Sequence, residues 1–97
     1  MLRHVVLLTL KDEATEEQLR AFLDGLAELP GRIPSIRAYS FGPDRRLSTD
    51  TGDVAVVADF DDDAGYRSYA THPAHLHLIA EVLRPILQTR TAVQYQL

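Results

Sequence analysis

Residues 2–10, Leu2-Arg3-His4-Val5-Val6-Leu7-Leu8-Thr9-Leu10, decide most of what this chain can become. The run is rich in Val and Leu and reads as a strand. Alternation sets Val5 and Leu7 on one side and Leu2, His4, Val6, Leu8 and Leu10 on the other. Both sides are apolar, so both must be covered. The chain has only 97 residues, one domain's worth. A chain of that size buries roughly 60–65 % of its unfolded surface, so cover for both sides is scarce.

The rest of the sequence supplies cover for one side. Thr15-Glu16-Glu17-Gln18 is a capping box, and Leu19, Phe22, Leu23, Leu26 and Leu29 follow with helical spacing. Pro30-Gly31 is expected to end that helix. A second strand is expected over 33–41, with Ile36 and Ala38 on one face and Ser35, Arg37, Tyr39 and Phe41 on the other. A long polar loop over 42–53 leads to a third strand over 54–60, with Val54, Val56, Ala58 and Phe60 on its main face. Asp61-Asp62-Asp63 reads as helix-capping chemistry for a helix to about Thr71; a calcium or magnesium site would need ligands from elsewhere as well. Pro73 starts another helix, expected over 74–89 with Pro85 kinking or ending its regular part. Residues 91–97 alternate as a fourth strand, with Val93, Tyr95 and Leu97 opposite Ala92, Gln94 and Gln96.

The order β-α-β-β-α-α-β points to a ferredoxin-like α+β sheet with helices on one face. The other face then needs a partner, and a second copy packed sheet to sheet as a two-fold homodimer is the simplest one. The alternative is a monomer whose open face is made partly polar by Ser35, Arg37, Tyr39, Asp59, Gln94 and Gln96.

Composition narrows the partners. The net charge is −4, and the one adjacent basic pair is Arg45-Arg46, so nucleic acid is not expected. Cysteine is absent, which removes thiolate chemistry and cysteine-held metals. The run Val5-Val6-Leu7-Leu8 is too short for a signal-peptide core, and no segment approaches the ~20 apolar residues of a membrane span. A cytoplasmic protein with no membrane contact is the expectation.

Three of the four histidines fall in Tyr69-Ala70-Thr71-His72-Pro73-Ala74-His75-Leu76-His77. A helix starting at Pro73 turns His75 and His77 about 200° apart, so they cannot chelate one ion together. His72 with His75 alone makes a weak site, and no metal is expected. His72 reads as a junction residue and His77 as exposed. His75, in a first helical turn, feels the positive end of the dipole and tends to stay neutral, fit to accept a proton. Tyr69 is placed to donate a hydrogen bond to a carbonyl or enolate oxygen, unless it is a core aromatic with a satisfied hydroxyl. His4 is a polar group in apolar surroundings and needs a partner.

His4-Val5-Val6-Leu7 with Leu10-Lys11-Asp12, and Tyr69-Ala70-Thr71-His72-Pro73-Ala74-His75, resemble the motifs of the stress-responsive dimeric A/B barrel (Dabb) family over nearly the whole chain. The second motif is the more specific, because Tyr-x-x-His-Pro-x-His spans a helix break at fixed spacing. The resemblance implies one domain over residues 1–97 and a homodimer whose two sheets form a dimeric α/β barrel. It also implies a link to stress response in some members. Members of the olivetolic acid cyclase type close a linear polyketide by aldol chemistry with a Tyr and a His, without a cofactor. The resemblance lays those roles on Tyr69 and His75 and an N-terminal histidine on His4. His75 would take the acidic proton next to a carbonyl of a polyketide-like or β-dicarbonyl ligand, and Tyr69 would steady the oxygen. Leu76-His77-Leu78 is bulkier than the glycine-containing stretch of those members, which leaves open whether the pocket is closed.

Two readings follow: a cofactor-independent cyclase- or lyase-like enzyme, and a non-enzymatic stress-associated or ligand-binding homodimer with structural histidines. They part on whether His75 and Tyr69 converge on an open pocket.

Overall fold

The computed structural model describes residues 1–97. Its elements are β1 (Leu2–Leu10), α1 (Glu16–Arg32), β2 (Ala38–Pro43), β3 (Val54–Phe60), α2 (Asp63–Ala70), α3 (Pro73–Leu78), a π-helical turn over Ile79–Leu83, and β4 (Leu87–Gln96). The strands form one antiparallel sheet in the order β2-β3-β1-β4. This is the ferredoxin-like α+β fold. The strand that is apolar on both sides lies inside the sheet, with Val5 between Val57 of β3 and Val93 of β4.

One face carries the core. Val6, Leu8 and Leu10 of β1 and Val54, Val56, Ala58 and Phe60 of β3 meet Phe22, Leu26 and Leu29, the buried stripe of α1. Phe22 and Phe60 are almost fully enclosed, and each such side chain contributes roughly 1.5–3 kcal/mol by leaving water. The capping box forms as its sequence requires: Thr15 Oγ1 accepts from the Gln18 N–H at 3.1 Å, and Gln18 Oε1 accepts from the Thr15 N–H at 2.9 Å. Gly25 lets α3 approach α1, since a Cβ there would collide with the Leu78 side chain.

Several boundaries differ from the sequence expectation. The first helix passes Pro30-Gly31 and ends at Arg32. Pro30 offers no N–H to the Leu26 carbonyl, but buried Ile33 donates to the Leu29 carbonyl at 2.9 Å and holds the last turn. The second strand begins at Ala38, because Ile33–Ile36 closes a turn through the Ile36 N–H to the Ile33 carbonyl at 3.2 Å. The last helix stops at Leu83 instead of Thr89. A π-type bond from the Arg84 N–H to the Ile79 carbonyl at 2.8 Å closes it just before Pro85, and β4 starts at Leu87 rather than Thr91.

The face opposite the helices is not covered within the chain. Leu7, Val93 and Tyr95 are about half exposed there. It also carries Asp59, whose carboxylate accepts from Nε and Nη2 of Arg3, at 2.8 and 2.9 Å. Tyr39 and Gln94 are not on this face. Register sets Tyr39 opposite Ala58 and Gln94 opposite His4, which turns both toward the helices. The open face is therefore less polar than the monomer alternative supposed.

Candidate functional site

Between the helix-covered face and the helices lies a cavity of about 270 Å³. Its floor is His4, Val6, Leu8 and Val56 of the sheet, and its roof includes Phe22, Leu26, Tyr66, Tyr69, His75, Ile79 and Leu83. Larger, more open hollows of about 420 Å³ flank the 44–53 loop, but no histidine or tyrosine lines them. The smaller cavity is the one that gathers His4, Tyr69 and His75. The π-helical turn gives it two of its walls, Ile79 and Leu83.

His75 reaches it from the first turn of α3. His72 caps that helix: its Nδ1 accepts from the Ala74 N–H at 3.0 Å, and Pro73 takes the first helical position. His75 Nδ1 lies 3.1 Å from the Ala70 carbonyl. A carbonyl only accepts, so Nδ1 carries the proton and Nε2 keeps its lone pair. Burial pushes the His75 pKa down; the Ala70 bond opposes this, and the Arg90 charge adds to it. The result is a neutral imidazole with one basic nitrogen. Leu76 is exposed and does not close the cavity, while His77 is exposed on another surface beside Arg32.

Tyr69 is buried, with its ring centroid 4.4 Å from that of His75. Its hydroxyl lies 3.0 Å from that of Tyr39. Burial raises the pKa of both phenols, so both stay protonated. Two hydroxyls share one hydrogen bond, which leaves one O–H proton free for another acceptor.

His4 is almost fully buried and finds the partner it needs across the β1–β4 ladder: the Gln94 side-chain amide donates to His4 Nδ1 at 2.8 Å. Its proton therefore sits on Nε2. Burial, with help from Arg90 and His75, lowers the His4 pKa to about 4. The ring packs against Tyr66, with centroids 4.9 Å apart. The cavity thus brings His4, Tyr69 and His75 together. Tyr66 and Arg90 line it beside them, and Tyr39 and Gln94 are hydrogen-bond partners of Tyr69 and His4; the sequence assigned none of these four a part in the site. The alternation of Ala92 and Gln94 with the apolar face of β1 was the available signal for Gln94. No group of three or more metal-ligating side chains converges anywhere in the chain.

A ferredoxin-like sheet with one helix-covered face, an uncovered face and a histidine-lined cavity beneath its helices defines the class. The profile of the stress-responsive A/B barrel domain (Dabb) matches residues 2–97. The chain belongs to that family. Among solved structures it is similar to a dimeric ferredoxin-like protein of unknown function from Thermobifida fusca, with 38% identity, a TM-score of 0.92, and 99% of this chain and 90% of that one covered. A dimeric protein of unknown function from Bacteroides fragilis is 27% identical, with a TM-score of 0.87 and 99% and 95% covered. Hydroxynitrile lyase from Passiflora edulis shares the fold at 18% identity, with a TM-score of 0.83 and 97% and 90% covered. No curated protein matches the sequence. No helix is long and apolar enough to cross a membrane.

Proposed function

We propose that this chain works as a cytoplasmic two-fold homodimer that binds a small molecule in the cavity of each subunit. There it performs cofactor-free acid–base chemistry on a β-dicarbonyl or polyketide-like ligand, of cyclase or lyase type. The observation that carries the reading is the His75 ring: its Nδ1 proton is spent on the Ala70 carbonyl, and its neutral Nε2 is left as a base in an open, largely apolar cavity. The dimer is supported by the apolar face that the chain leaves uncovered and by relatives described as dimeric.

In this reading His75 Nε2 takes a proton from the carbon next to a carbonyl. The C–H electron pair moves onto the carbonyl oxygen, and the spare phenolic proton of the Tyr69–Tyr39 pair hydrogen-bonds that enolate oxygen. His4 supplies its Nε2–H as a further donor. The second reading, a ligand-binding or stress-associated protein with structural histidines, draws on the fact that His4, Tyr69 and His75 each hold a hydrogen bond within the chain.

Deuterium uptake by ethyl acetoacetate in D2O separates the two. The wild-type protein should speed uptake at the carbon between the carbonyls, and His75→Ala should cut the acceleration about 100-fold or more while leaving the circular dichroism unchanged. Equal uptake with both proteins would leave the non-enzymatic reading standing.

A further inference from the structure

The cavity contains a cation with no anion to match it. Arg90 lines the cavity and is solvent-exposed, so it stands at the mouth. It reaches that position because β4 begins at Leu87: register puts Arg90 opposite Leu8, on the same face as Ala92 and Gln94. No Asp or Glu lines the cavity, and Arg90 joins none of the four ion pairs of the chain, which use Arg3, Arg37 and Arg46.

The other polar groups are mostly donors as well. His4 presents Nε2–H, because Gln94 holds its Nδ1 as an acceptor. The Tyr39–Tyr69 pair has one spare O–H. His75 Nε2 is the one ring nitrogen there left as an acceptor. A site made of a guanidinium, an N–H and an O–H suits a ligand bearing negatively charged oxygen. The planar guanidinium fork matches a carboxylate in particular. Most of the lining is apolar or aromatic, 11 of the 14 residues with Tyr66 and Tyr69 counted among them, and would oppose burial of a doubly charged phosphate. The volume of about 270 Å³ lies just under the roughly 300–1,000 Å³ of drug-sized sites.

We infer that the ligand is a small, largely apolar monocarboxylate, with its carboxylate paired to Arg90 at the mouth and its apolar body against Phe22, Leu26 and Ile79. This rests on reading the cavity as a small-molecule site and names the class of molecule that site takes. The chain as a whole is anionic, at −4, so attraction of such a ligand has to be local, and Arg90 supplies it.

The test uses a matched pair of probes, 2-naphthoate and 2-naphthamide, titrated near neutral pH into ¹⁵N-labelled full-length protein. The Ala70 and His75 amide resonances report occupancy. Naphthoate should bind wild type about tenfold more tightly than naphthamide, the size of one charge-assisted pair. Arg90→Gln should erase the preference by bringing naphthoate down toward the affinity of naphthamide, and Arg90→Lys should keep part of it. Equal affinities for wild type, or a preference that survives in Arg90→Gln, overturns the carboxylate inference and spares the small-molecule site. If neither probe moves those resonances at millimolar concentration, both fall.

Discussion

The two faces of the sheet carry opposite mismatches. The helix-covered face holds polar, titratable groups where water is scarce: His4, His75, Tyr39 and Tyr69. The open face holds Leu7, Val93 and Tyr95 where water is abundant. Each mismatch costs stability in an isolated chain, and each is kept by a different device. Below the helices, every one of those polar groups has a partner: Gln94 for His4, the Ala70 carbonyl for His75, and the two phenols for each other. On the open face no partner exists within the chain. The lesson is one of division: the covered face satisfies its polar groups within the chain, and the open face leaves its apolar groups uncovered.

Leu7 and Leu8 offer the sharpest way to break that division, because they are chain neighbours pointing to opposite faces. Leu8 is 2 % exposed and Leu7 is 51 % exposed. Leu8→Ala should cost about 2–5 kcal/mol of stability at any protein concentration, the range for core truncations. Leu7→Ala should cost less in the isolated subunit, and its effect should appear as weaker association. Urea unfolding at two protein concentrations, with light scattering beside it, reads both. Wild type should scatter as about twice 10.9 kDa. A wild-type monomer, or equal and concentration-independent costs for the two variants, would remove the contrast.

The faces should also separate along the pH axis. His4 and His75 have folded pKa values below the ordinary 6.5, His4 at about 4. As pH falls below 6.5 the unfolded chain takes up protons that the folded chain refuses, so stability drops through the window from 6.5 toward 4. The slope is up to about 1.4 kcal/mol per pH unit for each histidine. Asp59 on the open face behaves in the other range. Its hydrogen bonds to Arg3 hold its pKa below the ordinary 3.8, so its contribution is present above that value and is lost only as pH falls further. His4→Gln should therefore flatten the upper part of the stability profile, and Asp59→Asn only the acid end. An unchanged slope between pH 6.5 and 4.5 in His4→Gln would mean that His4 is not held neutral by burial.

Much of this division was legible in the sequence, and the gaps have physical causes. The two-sided apolar pattern of Val5 to Leu8 was enough to require cover on both faces. The Tyr69–His75 spacing and the break at Pro73 were enough to separate the three clustered histidines. Tyr39 was put on the wrong face because the chain turns at Ile33–Ile36 before entering the sheet, which no periodicity reveals. Arg90 had no role because the helix expected to run through Thr89 left it at a junction. The π-type closure before Pro85 ends that helix six residues early and gives Arg90 a strand position and a face. Side-chain chemistry read from a sequence is only as good as the element boundary that aims it.

The smallest effect tests that boundary directly. If Arg90 stands at the cavity mouth, its charge disfavours a second positive charge on either ring inside, and it contributes to the lowered pKa of both His4 and His75. Arg90→Gln should therefore raise both histidine pKa values. A ring-resonance NMR titration of His4 and His75 in wild type and variant reads this. The sign matters more than the size, because a cation at the mouth can only hold these two values down, so its removal can only raise them. A rise in both ties Arg90 to the covered face. A fall, or no shift, would return it to the solvent and leave the cavity without its charge.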